Sequence, residues 1–150
     1  MYKRIMVAVD ESFMTHKVLA TAIELARLSG AQLAICHAVD ETIFAQRNVA
    51  MMLPNSVGKA EYRLRVGAQG FLGEAAETAR AGGIEAEIRL IESEEKHVSD
   101  MLAEASAEWK ADLLVVGTHG RRGMERFFVG SVAERLVRKA EISLLLVRGE

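Results

Sequence analysis

Val115-Val116-Gly117-Thr118-His119-Gly120-Arg121-Arg122-Gly123, followed after six residues by Gly130-Ser131-Val132-Ala133, reads as a buried strand, a glycine-rich loop and a helix that opens on a small hydroxyl residue. Such an arrangement aims backbone N–H groups and a helix N-terminus at one place, where an anion such as phosphate is the natural occupant. The same glycines also suit a tight turn with close helix–sheet packing, and the residues alone leave both readings open.

The rest of the chain alternates in the same way. Ile5–Val9 is an apolar run that ends at Asp10, a buried strand. Residues 12–29 follow helical period, with Val18, Leu19, Ala22, Ile23 and Ala26 on one face, Ser12 placed as N-cap and Gly30 at the C-terminus. Leu33–Val39 is a second strand, residues 59–81 a helix, and Ile84–Ile91 a third strand with Ile84, Ala86, Ile88 and Leu90 inward at a sheet edge. Val98–Trp109 is helical, Leu113–Val116 is the fourth strand, residues 132–139 are helical with Val132, Leu136 and Val137 inward, and Ile142–Val147 is the fifth strand. Short apolar strands alternating with helices imply an α/β fold, a parallel sheet covered on both faces. Ligands in such sheets bind at the carboxyl ends of the strands. Residues 40–58, with Met51, Met52 and Pro54, lack clear periodicity; they read as a surface connection or as a lid.

Composition narrows the function classes. The length of 150 residues predicts one domain, and 50% hydrophobic residues argue against disorder. A net charge of −2 and a pI near 6.1 make a generic nucleic-acid binder a poor fit, because basic surface is missing. Cys36 is the only cysteine, so no internal disulfide is possible, which suits a reducing compartment. No apolar run approaches the length of about 18 residues of a membrane span, and the N-terminal run is too short for a signal peptide. The expectation is a soluble, cytoplasmic protein.

The glycine loop is neither of two common phosphate motifs. The dinucleotide fingerprint follows a first strand, whereas this loop follows the fourth. A Walker loop carries a lysine before its hydroxyl residue, and Gly130-Ser131 has none. Any phosphate is therefore held by backbone N–H groups, Ser131 and the helix start, with Arg121 and Arg122 as candidate countercharges or plain surface. Asp10 is placed either to accept hydrogen bonds from a sugar or base, or to cap the next helix. The four histidines and Cys36 show no metal-ligand spacing. A phosphorelay receiver shares the alternation, but the third strand ends Leu90-Ile91-Glu92 without a phosphoacceptor aspartate. Ile142–Val147, nearly all apolar, is an aggregation hazard if it forms a free edge, and pairing between two copies would cover it.

Val7-Ala8-Val9-Asp10, the loop Gly117–Gly123 and Gly130-Ser131-Val132-Ala133-Glu134-Arg135 together resemble the universal stress protein family. The spacing Gly-x2-Gly-x9-Gly-Ser resembles the family's ATP-binding branch. The resemblance implies a Rossmann-like, five-stranded parallel sheet in order 3-2-1-4-5, and homodimers formed through the last strand, 142–147. It implies ATP as ligand, with Mg or Mn held by the phosphates. By that likeness Asp10, with Val9 before it, meets the adenosine part, and Ala38 or Val39 lines the adenine pocket. Gly117, Thr118, His119 and Gly120, with Arg121, Arg122 and Gly123 beyond them, surround ribose and phosphates. Gly130, Ser131, Val132 and Ala133 hold phosphates at the helix start. The run Glu92-Ser93-Glu94-Glu95-Lys96 and the Ile142-Ser143 strand start depart from the family's usual Gly and Pro after strand three and Pro-Val before the last strand. The function expected is a binding module for stress response. A slow ATPase on the same site and a nucleotide-free dimeric branch are the alternatives, and no general base is recognisable beside the loop.

Overall fold

A computed structural model describes residues 1–40, 54–93, 95–119 and 130–149. The elements run β1 (Arg4–Ala8), α1 (Thr15–Ser29), β2 (Gln32–Asp40), α2 (Pro54–Ala81), β3 (Ala86–Ser93), α3 (Val98–Glu108), β4 (Leu113–Gly117), α4 (Ser131–Lys139) and β5 (Ser143–Val147). All strand pairs are parallel, and the sheet order is β3-β2-β1-β4-β5, as the resemblance implies.

Strand alternation sorts the core into two halves. Ile5, Val7, Leu33, Ile35, Leu113 and Val115 face α1 and α2, where Val18, Leu19, Ala22, Ile23, Leu72, Ala75 and Ala79 meet them. Met6, Ala34, Cys36, Leu114 and Val116 face the other way, onto Leu102, Ala105, Trp109 and Leu136. The central strands are buried on both faces, which is why they read as unbroken apolar runs. Burial also pushes the Cys36 thiol up to about 12, so it stays a protonated packing residue.

The amino ends of the central strands are tied by a polar cluster. The Asp112 carboxylate accepts the N–H groups of Lys3 at 2.8 Å and Arg4 at 3.0 Å. Arg4 donates its Nε to the Trp109 carbonyl at 2.9 Å and lays its guanidinium 3.9 Å from the indole ring centre. These contacts fix the β1–β4 register at the end of the sheet opposite the strands' carboxyl ends.

Several boundaries differ from the sequence reading. Ser12 is not the N-cap of α1: the cap is Met14, with no side-chain hydrogen bond, and the helix starts at Thr15. The reason is local. The Asp10 carboxylate accepts the Ser12 N–H at 2.9 Å and the Ser12 carbonyl accepts the Thr15 N–H at 3.3 Å, so a turn occupies these residues and the helix follows it. Gly30 does end α1, with φ 65°, the left-handed conformation that glycine adopts without steric cost. Helix α2 begins at Pro54, so residues 54–58 belong to it rather than to the connection; Met51 and Met52 lie outside the described residues. Proline suits a first helical position because its missing N–H has no partner there anyway. β3 starts at Ala86, not Ile84, and lies at the edge, where Ile88 remains 40% exposed. Val137, expected inward, is 58% exposed, and the buried positions of α4 are Ala133 and Leu136.

Candidate functional site

β1 and β4 pair from Ile5↔Leu113 to Val7↔Val115. β1 stays with β2 for longer: Ala8 stands opposite Cys36, and the Val9 N–H donates to the Cys36 carbonyl at 2.9 Å. The two central strands therefore stop pairing first at their carboxyl ends. Their connections also leave in opposite directions, β1 toward β2 and β4 toward β5. That is the switch point at which an open parallel sheet forms a crevice.

Asp10 stands on one side of this crevice, half-buried. Its Oδ1 accepts the Ser12 N–H and lies 3.2 Å from the Thr15 hydroxyl, while its own N–H donates to Thr15 Oγ1 at 3.1 Å. The Thr15 hydroxyl also reaches the Asp10 carbonyl. One carboxylate oxygen is thus spent on the local turn before α1 rather than on capping the helix, whose N-cap is Met14, and Oδ2 remains an acceptor. Val9, buried beside it, has its carbonyl satisfied by His37 Nδ1 at 2.9 Å. A carbonyl only accepts, so that bond needs the proton on Nδ1. The His37 ring is steadied in turn by an edge contact with Phe71 of α2, centroids 5.3 Å apart.

Ala38 and Val39 follow on β2, opposite Ile91 and Glu92 of β3. Successive strand residues point to opposite faces. Ala38 packs with Ile91 and Val98 on the side of the sheet that carries α3 and α4.

On the other side stand the end of β4 and the start of α4. Gly117 pairs with Val147. Thr118 is buried and fully used: its N–H donates to the Val147 carbonyl at 2.9 Å, its carbonyl accepts the Gly130 N–H at 2.6 Å, and its hydroxyl lies 2.9 Å from His119 Nδ1. The Thr118–Gly130 bond brings the start of α4 to the end of β4. Gly130 is the N-cap, without a side-chain cap, and the first intrahelical bond runs from Glu134 N–H to the Gly130 carbonyl at 3.0 Å. The N–H groups of Ser131, Val132 and Ala133 precede that bond and find no partner among the described residues. Ser131 is exposed, Val132 half-buried and Ala133 buried. Arg138 and Lys139 occupy the last turn, so the charges of α4 match a dipole whose positive end faces the crevice.

The structure therefore brings Val9, Asp10, Ala38, Gly117, Thr118, Gly130, Ser131, Val132 and Ala133 to the carboxyl ends of β1, β2 and β4. Gly120, Arg121, Arg122 and Gly123 lie outside the described residues. Thr15 and His37, which buttress Asp10 and Val9, were not expected from sequence; a hydroxyl five residues after a strand-end aspartate is the only signal that points to the first. Among the described residues no group of three or more His, Cys, Asp and Glu gathers to hold a metal, and no helix is long and apolar enough to cross a membrane.

Chemically, the crevice offers an acceptor at Asp10 and a row of donors at α4. It suits a molecule with hydroxyl or amino groups at one end and an anion at the other. The chain is similar to known proteins along its whole length. A relative from Staphylococcus haemolyticus that carries the universal stress protein name is 31% identical over 151 residues, spanning 99% of this chain and 86% of its own length. A universal stress protein solved in complex with cAMP is 27% identical with a TM-score of 0.68, over 99% of this chain and 98% of that one. A universal stress protein from Archaeoglobus fulgidus in complex with dAMP is 26% identical with a TM-score of 0.65, over 97% of each chain. The sequence profile of the universal stress protein family matches residues 1–148, and the chain belongs to that family.

Proposed function

We propose that the chain is one domain, residues 1–150, that binds ATP or a related adenine nucleotide and works as a stress-response signalling module. What supports this is that Asp10, after β1, and the start of α4, tied to the end of β4, stand on the two sides of the β1–β4 crevice. The nucleotide complexes of two relatives support the class of ligand. On this reading Val9, Asp10 and Ala38 or Val39 take the nucleoside, Gly117, Thr118 and His119 form the wall, and α4 takes the phosphates. By the family likeness Gly120, Arg121, Arg122 and Gly123, which lie outside the described residues, belong to the same site. A divalent ion such as Mg or Mn would be carried by the phosphate oxygens. The protein would work in the cytoplasm, without nucleic acid or membrane. β5, an edge strand with Leu144, Leu145 and Leu146 half-buried, supports a homodimer formed along it.

Thermal unfolding of nucleotide-stripped protein tests the reading. Ligand at a hundredfold excess over Kd adds about 2.7 kcal/mol, a rise of roughly 5–10 °C for a chain of this size. An unchanged melting temperature in millimolar ATP and Mg²⁺ overturns it. Phosphate release above background by the same sample would move the protein to the slow ATPase class instead.

A further inference from the structure

The geometry points to Thr15 as the positioning residue that turns Asp10 into a reader of sugar hydroxyls. This rests on the nucleotide-binding reading above. Thr15 is the first residue of α1, yet its hydroxyl serves the strand before it rather than its own helix. It accepts the Asp10 N–H at 3.1 Å, contacts the Asp10 carbonyl, and lies 3.2 Å from Oδ1. The single Thr15 hydroxyl proton is shared between that carbonyl and Oδ1, and with the Ser12 N–H on the same Oδ1 at 2.9 Å the carboxylate is held by main chain and side chain together. A carboxylate gripped through one oxygen cannot spin about its own bond without losing those contacts, so Oδ2 keeps a fixed direction.

The order of strands says what Oδ2 reads. β1 stands between β2, which carries Ala38, and β4, whose end is tied to the start of α4. Asp10 is therefore in the middle of the crevice, with a small apolar residue on one side and a row of N–H donors on the other. A nucleotide has its sugar in the middle, between base and phosphates. An ionised carboxylate only accepts, so the matching ligand groups are the donors on that sugar, its 2′ and 3′ hydroxyls. Hydrogen bonds to a charged group are the stronger kind and depend on alignment. Thr15 acts through Asp10 and touches no ligand.

Calorimetric titration of the full chain with ATP and with 2′,3′-dideoxy-ATP separates the possibilities. Wild type is expected to bind ATP more tightly than the dideoxy analogue. Thr15→Val is expected to weaken ATP roughly tenfold, the worth of one hydrogen bond to a charged group, and to leave the dideoxy analogue at its wild-type affinity. Thr15→Ser restores ATP binding, and adding Thr15→Val to Asp10→Asn weakens ATP no further. If circular dichroism shows Thr15→Val unfolded, Thr15→Ala carries the same comparison. The proposal is overturned if Thr15→Val binds ATP like wild type, if it weakens both analogues equally, or if wild type does not distinguish them. A wild type that binds neither analogue removes the nucleotide reading itself, and this proposal with it.

Discussion

Gly117 lies so close to Val18 that a Cβ built on it would stand 3.2 Å from the Val18 Cγ2 methyl. The same Cβ would meet the His119 carbonyl oxygen at 3.4 Å and Met14 Cε at 3.5 Å. Gly117 is thus the point where α1, the end of β4 and the beginning of the following loop touch. Val18 is a buried, branched residue in the first turn of α1 and yields little. Gly117→Ala is expected to cost about 1 kcal/mol and Gly117→Val about 2–3 kcal/mol, as overpacking does. Urea unfolding measures both. Because the strain falls on the crevice wall, the valine variant is also expected to lose most of its ATP-induced thermal shift.

Helix α2 presents the opposite case. Gly67, Gly70 and Gly73 have open space where a Cβ would stand. Each lies inside a regular helix, where glycine costs up to about 1 kcal/mol relative to alanine. Nothing in the packing requires them. Gly70→Ala is expected to stabilise the protein by about 0.5–1 kcal/mol, partly by narrowing the unfolded ensemble. The triple alanine variant is expected to raise the melting temperature by several degrees in a thermal scan, since each site alone has room for a Cβ.

Asp112 predicts a pH dependence. Burial works against its charge, but the N–H groups of Lys3, Arg4 and its own residue outweigh that, and the carboxyl is held below the usual carboxylate range. The folded state therefore binds its proton less readily than the unfolded chain, whose value is about 3.9. The stabilisation is complete above that value and is lost as pH falls through the lower folded value. Asp112→Asn is expected to cost about 1 kcal/mol at pH 7. The gap from wild type should be the same at pH 5 and shrink at about pH 3 and below. Urea midpoints at three pH values check this; a gap that widens on acidification contradicts it.

β1, β2 and β4 were legible because parallel central strands must be apolar on both faces, and Asp10 was legible as the first polar residue after such a run. The start of α1 was not. Ser12 has the right chemistry for a cap, but the chain makes a turn through Asp10–Thr15 before the helix begins, and such a turn does not show in composition. Val137 misled for another reason: α4 lies over the edge strand β5, where a helix has fewer neighbours and its buried face narrows to Ala133 and Leu136. Pro54 was read as part of an irregular connection, although proline at a first helical position is a start signal. In the site, position along the chain revealed Asp10 and Gly130-Ser131. The supports, Thr15 and His37, depend on how the chain folds back after β1 and along β2, which local sequence does not encode.

The start of α4 gives the sharpest separation of fold from binding. Ser131 is the first residue of the helix, exposed, and its N–H and those of Val132 and Ala133 have no partner among the described residues. A carboxylate placed there interacts favourably with the helix N-terminus, by about 0.3–1 kcal/mol. The same charge would occupy the donors and repel an incoming phosphate. Ser131→Glu is therefore expected to leave the ligand-free protein as stable as wild type, or slightly more so, while lowering ATP affinity at least tenfold. Ser131→Ala is expected to lose only the hydroxyl's share, because the backbone donors remain. Thermal scans without ligand and titrations with ATP read the two effects apart. If Ser131→Glu binds ATP like wild type, the phosphates do not sit at α4. If Ser131→Ala loses as much as Ser131→Glu, the hydroxyl rather than the helix N-terminus holds them.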